Sequence, residues 1–163
     1  MPADPRPTYD EDFYAWTQDQ ASALRELAPA LVGTRVDIDH VAEEIEDLGK
    51  RDLREVESYL RQLLVHLLKI GALPQAQERA HWFSEAGEFQ ARAAATHKPS
   101  MNRALDLPRA WTSARRLAAT FVAEMGGNPA DLPNACPFDL DTLVAPEFDL
   151  HAALAGLYSG RVQ

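Results

Sequence analysis

The chain has 163 residues, 46% of them apolar and 25% charged, the balance of an ordinary globular protein rather than of a disordered, collagen-like or coiled-coil chain. A chain this long hides about 70% of its unfolded surface on folding, so neither disulfide nor metal is needed to explain a fold. Its net charge of −9 argues against nucleic acid and anionic lipid as partners, because both repel an acidic surface.

The opening MPADPRPTYDEDF is acidic and proline-rich. It lacks the basic and apolar regions of a signal peptide, and residues 1–7 are expected to be disordered. Thr8-Tyr9-Asp10-Glu11 reads as a capping box, the threonine hydroxyl meeting a free N–H and the glutamate reaching back. Phe13, Trp16, Leu24 and Leu27 follow at near-helical spacing, and Pro29 stops or kinks this first helix.

Asp37 reads as the N-cap of a second, long central helix, with Val36 and Val41 placed as a hydrophobic staple. Ile38, Val41, Ile45 and Leu48 share one face. Beyond Gly49, Leu53, Val56, Leu60, Leu63, Leu64, Leu67 and Leu68 form a wide apolar arc. At 100° per residue this arc is rotated by about 80° from the first stripe. One helix over 38–70 must then bend, with Gly49 the obvious place, or be wrapped by different neighbours on its two halves. The longest apolar stretch, Leu63 to Leu73, is broken by His66, Lys69 and Gly71 and falls far short of the ~20 residues of a membrane span.

Gly71 and Pro74 end that element. A third, alanine-rich helix is predicted over about Gln75 to Thr96, with Trp82, Phe83 and Phe89 as bulky contacts. His97-Lys98-Pro99-Ser100 is a turn. The fourth helix runs to about Met125, either kinked at Pro108 or starting anew near it, and Gly126-Gly127 stops it. Asn128 to Pro146 holds four prolines and reads as a strap with one short helix near Leu140 to Val144. Asp149 to Tyr158 suits a last short helix in a C-terminal tail, 149–163. Period-2 alternation is absent. The fold class is therefore all-α, a bundle of about four main helices in a single domain over 8–148. Cys136, the lone cysteine, cannot form an intrachain disulfide, which fits a reducing, cytoplasmic setting.

Several segments together resemble a known family. They are Tyr9-Asp10-Glu11-Asp12-Phe13-Tyr14-Ala15-Trp16, Val41-Ala42-Glu43-Glu44-Ile45-Glu46-Asp47-Leu48-Gly49, His66-Leu67-Leu68-Lys69, Trp82 and Cys136-Pro137-Phe138. In order and spacing, over about residues 8 to 148, the chain resembles the bacterial domain-of-unknown-function family 29. The resemblance implies an all-helical bundle and supplies no activity. His40 stands where the family more often has asparagine and Ile70 where it often has tryptophan, and the tail from His151 lies beyond the shared region.

Charge is segregated along the chain: residues 1–50 carry −8, residues 51–128 carry +3 and residues 129–163 carry −4. The plain reading has the ends packing against the middle or facing water. The sharper one is a basic partner-binding patch of Arg51, Arg54 and Arg61, with Trp16 as an aromatic anchor. Taking Val41 as 0°, Glu44 falls near −60°, His40 near −100° and Asp47 near −120°, a stripe bordering the core. Imidazole and carboxylates so spaced can converge on a divalent cation if a further ligand is added, and His66 is the candidate for it. If residues 38–70 are one helix, however, Glu44 and His66 lie about 33 Å apart, and only a dimer or a fold-back at Gly49 joins them. The competing reading is structural: an Asp47–Arg51 ion pair, a hydrogen-bonded His66 at a core edge, and Glu43 and Glu46 paired with Arg54, Arg115 or Arg116.

The sequence has no phosphate loop, dinucleotide fingerprint, paired-cysteine motif or nucleophile elbow. Two functions follow. The first is a non-enzymatic module that binds an unknown protein partner or forms a homodimer, without a cofactor. The alternative is a divalent-metal-binding, hydrolytic bundle built on Glu44 and His66, with His40 and Asp47 as accessories.

Overall fold

In the computed structural model residues 6–159 are described, and every regular element among them is helical. These residues gather into two compact units. The first holds the chain up to Glu55 together with His97–Leu105, and the second holds Val56–Thr96 together with the chain from Asp106 onward. The region read from sequence as one domain, 8–148, spans both, and helix α2, Ile38–Ala72, runs unbroken from one into the other. Among the described residues no helix is long and apolar enough to cross a membrane. Residues 1–5, where most of the expected disorder falls, and residues 160–163 of the tail lie outside the described residues.

In the first unit, α1 is Phe13–Leu27. The Thr8 box closes: its hydroxyl donates to the Glu11 carboxylate at 2.6 Å and accepts from the Glu11 N–H at 3.3 Å. Yet it caps a turn ahead of the helix. The N-cap of α1 is Asp12, whose carboxylate accepts from the Ala15 N–H at 2.9 Å and from the Ser100 hydroxyl at 2.9 Å. Pro29 lies in a 3-10 turn, Ala28–Leu31, directly after the helix.

The buried face of this part of α2 is not the expected one. Ile38 is buried and Ile45 half-buried, but Val41 and Leu48 are each 41% exposed. Ala42 and Gly49 take the interior positions instead, opposite the buried Thr17 and Ala21 of α1. A Cβ at Gly49 would lie 2.0 Å from Thr17 Oγ1. Two helix backbones come this close only where side chains are absent or small, and a valine or leucine there would hold them apart. The interior face thus centres on Ile38, Ala42 and Gly49, at about 60–100° on the same scale, and Val56 and Leu60 continue it at about 60° and 100°. The 80° rotation disappears, α2 needs no bend to bury both stretches, and Gly49 is a packing residue.

In the second unit every residue of α2 from Leu63 to Ile70 is buried, as suits a helix covered on all sides. Around it are α3, Arg79–Thr96, and α4, Leu107–Glu124. Asp106 caps α4 by accepting from the Arg109 N–H at 2.9 Å, and Pro108 sits in its first turn, so a new helix starts there and none is kinked. The prolines of the strap supply no N–H, and helix side chains satisfy its carbonyls instead. Trp111 Nε1 donates to Asn134 O at 3.2 Å and Arg115 Nε to Pro133 O at 2.9 Å. The strap's short helix is α5, Leu140–Val144; beside it the buried Gln90 amide donates to the carbonyls of Leu143 at 3.2 Å and Ala145 at 2.8 Å. The tail forms α6, Leu150–Tyr158. Its Tyr158 hydroxyl donates to Leu68 O at 2.8 Å with the ring against Gly71, where a Cβ would lie 1.8 Å from it.

Candidate functional site

The expected metal stripe lies on the solvent side of α2. Glu44, His40 and Asp47 are all exposed. His40 Nδ1 pairs with Asp37 Oδ2 at 2.6 Å; this bond raises the His40 pKa and lowers that of Asp37. Asp47 pairs with Lys50 at 3.4 Å rather than with Arg51. Glu46 takes Arg25 at 2.6 Å and Lys50 at 3.2 Å, not the distant arginines proposed from sequence. These near-lying cations hold the Glu46 carboxyl below its usual range. Of those arginines, Arg115 is engaged with the strap.

His66 stands 22 residues beyond Glu44 on the same unbroken helix, about 33 Å at 1.5 Å per residue, so the two cannot share a cation within one chain. The true partner of His66 is Glu85 of α3, with Nε2 to Oε2 at 2.9 Å. Its Nδ1 faces the Gln62 carbonyl at 2.8 Å. His81 approaches the other Glu85 oxygen at 3.3 Å. Hydrogen bonding to His66, and secondarily the nearby charges, lowers the Glu85 pKa against the effect of burial. One turn along α2, the buried Lys69 ammonium lies 4.5 Å from the Trp82 ring centre and 4.1 Å from that of Phe121. Burial pushes the Lys69 pKa down, and the Glu85 charge opposes this.

Both imidazole nitrogens of His66 thus lie within hydrogen-bond distance of an oxygen, one on its own helix and one on α3. Among the described residues no three His, Cys, Asp or Glu side chains form a group able to hold a metal ion. The cluster joins α2 to α3. Sequence reasoning reached His66 and missed Glu85, His81 and Lys69. The available signal was the buried arc itself: two ionisable residues inside an apolar run require partners from a facing helix.

The three arginines read as a partner-binding patch all lie on α2. Arg51 and Arg54 are exposed and Arg61 is half-buried. Trp16 is half-buried against Tyr9 and Phe13, ring centres 5.0 and 5.9 Å away. Cys136 is half-buried, with its thiol pKa pushed up by burial, which disfavours the reactive thiolate.

The first unit instead exposes large apolar side chains: Leu27 at the end of α1, Val32 (84% exposed) and Val36 in the connection, and Val41 and Leu48 on α2. Val41, Ile45 and Leu48 lie on one side at i, i+4 and i+7. Val36 precedes the helix where an N-terminal staple residue would lie over Val41. Between Ile38 and Leu48 the same stretch carries Asp39, Glu43, Glu44, Glu46 and Asp47 and no lysine or arginine.

The model of the Domain of unknown function DUF29 matches residues 8–149. The chain belongs to this family. The match takes in both compact units and ends before α6, as the resemblance in sequence implies. A crystal structure of an α-helical protein of unknown function from Rhodospirillum rubrum is 33% identical to the chain, with a TM-score of 0.86 and coverage of 94% of this chain and 99% of that one. No curated protein matches.

Proposed function

We propose that this DUF29 protein acts by binding protein, without chemistry of its own, through the exposed apolar side of its first unit. The observation that carries this reading is the inversion along α2: Val41 and Leu48 face solvent while Ala42 and Gly49 occupy the interior beside them. Both residues stay 41% exposed after folding, and an interface gains about 25 cal/mol for each Å² of apolar surface it covers. The place of His66 between the Gln62 carbonyl and the Glu85 carboxylate, joining α2 to α3, supports the non-catalytic part of the reading.

Site-specific photo-crosslinking in living cells tests it. A photoreactive amino acid at Val41 or Leu48 is expected to give discrete protein adducts. The same group at the exposed Gly87 of α3 is expected to give none. Equal labelling at all three positions, or none at any, would refute the reading. Adduct mass separates a second copy of the chain from a different protein.

A further inference from the structure

We infer that His66 is a pH-responsive tie between α2 and α3: as an imidazolium it bonds the Gln62 carbonyl and the Glu85 carboxylate together, and on losing a proton it must release one of them. Nδ1 lies 2.8 Å from Gln62 O and Nε2 lies 2.9 Å from Glu85 Oε2. Both oxygens are acceptors. A neutral imidazole has a single N–H, so one of the two contacts would then set a nitrogen lone pair against an oxygen; the imidazolium has two and satisfies both. A protonated Glu85 donating to the ring would also match the contacts. Hydrogen bonding to His66, then the charges of His66, His81 and Lys69, instead hold the Glu85 carboxyl below its usual range. The tie lies within the second unit and is separate from the apolar side of the first.

The surroundings make this charge dependent on its partner. His66 is buried, where an unpaired imidazolium is costly, and α3 supplies the compensating carboxylate at its half-buried Glu85. His81, exposed on the same helix, meets the other Glu85 oxygen at 3.3 Å. Lys69, one turn further along α2, is the like charge that opposes protonation of His66, and burial pushes it toward its neutral form. Rings fill in around these groups. Phe89 of α3 lies 5.4 Å from the imidazole, Tyr59 of α2 lies 6.4 Å from Phe89, and Phe121 of α4 lies against Lys69. The fold satisfies two donors of the charged ring and only one of the neutral ring. By linkage the tie therefore stabilises while the proton is held and weakens as pH rises. It also weakens as pH falls through the lowered Glu85 value. Histidine is the side chain that ordinarily exchanges its proton between about pH 5 and 8.

The test uses the full chain, labelled with nitrogen-15, and follows the ring signals of its five histidines by NMR after assignment through bonds. At about pH 6 His66 is expected to show two ring N–H protons that exchange slowly with water, and at about pH 8.5 only one. Denaturant unfolding at the same two pH values gives a second readout. His66→Gln, which replaces the ionisable ring by a neutral side chain, should lower the folding equilibrium constant by about tenfold at the lower pH, as loss of a hydrogen bond to a charged group does, and by clearly less at the higher one. Glu85→Gln, which keeps the shape and removes the charge, should erase the decline in stability that the parent shows between the two. A single slowly exchanging N–H on His66 at about pH 6 would overturn the inference. So would a Glu85→Gln protein that declines between the two pH values as the parent does. Both of these readouts stand even where His66→Gln fails to fold, and neither depends on a partner.

Discussion

From Ile38 to Glu55, α2 buries Ala42 and Gly49 and leaves Val41 and Leu48 in solvent; from Leu63 to Ile70 it buries everything, His66 and Lys69 included. Within one helix, polarity and burial are uncoupled in opposite directions. In the first stretch the closeness of α1 decides what is inside, and only small side chains fit against Thr17. In the second, coverage on all sides decides, and the ionisable residues are kept inside by Glu85 and by the rings of Trp82 and Phe121. Hydrophobicity alone identifies neither face.

Paired leucines give the sharpest contrast. Leu67→Ala, at a fully buried position, is expected to cost about 2–5 kcal/mol. Leu48→Ala, in the same helix, should cost about 1 kcal/mol or less, as exposed substitutions do. Denaturant unfolding of both variants measures the difference, and similar losses would show that Leu48 is packed in solution.

The glycines extend the comparison. Gly49→Ala drives a Cβ into Thr17; about 1–3 kcal/mol of overpacking outweighs or at least cancels the ~1 kcal/mol that alanine gains in a helix. Gly87 of α3 has nothing within 4 Å of where its Cβ would be, so Gly87→Ala should raise stability by up to about 1 kcal/mol. Thermal melting should show a raised midpoint for Gly87→Ala and an unchanged or lowered one for Gly49→Ala. A Gly49→Ala protein as stabilised as Gly87→Ala would remove the close crossing of α1 and α2.

Acid titration separates the buried charges from the exposed ones. The Glu85 carboxyl is lowered from its ordinary value of 4.5, so its contribution to stability is complete above that value and is lost as pH falls through the lowered folded one. Glu85→Gln should therefore lower stability near neutral pH and flatten its decline on the acid side. Denaturant midpoints measured from pH 7 down to about pH 3 would show this. A variant whose acid decline matches that of the parent would mean that His66 and Glu85 do not pair.

The smallest effect is expected for Glu44→Gln. This exposed carboxylate should change stability by less than about 0.5 kcal/mol, and a larger loss would mean that the solvent face of α2 is covered within the chain itself.

Much of the fold follows from local chemistry. The proline and glycine stops, the aspartate caps at Asp106, Asp139 and Asp149 and the apolar arc beyond Gly49 act within a turn or two of chain. The helices, the strap and its short α5 could accordingly be read from residues alone. So could the family, whose segments recur in order along residues 8–149. Asp12 in place of Thr8 as the cap of α1 is a local choice between two sound signals one turn apart.

The sites depended on which helices meet. His66 is visible in the sequence as a polar residue in an apolar run, but its partner Glu85 lies 19 residues away on another helix, and no periodicity within α2 points to it. Likewise Gly49 resembles a hinge until Thr17 is found against it, and Val41 and Leu48 resemble core until the smaller residues are found to have taken the inside. Sequence determined the helices because caps, breaks and periodicity are short-range. Tertiary structure decided their faces because the distance between two backbones, rather than the polarity of either surface, sets which side chains can be enclosed.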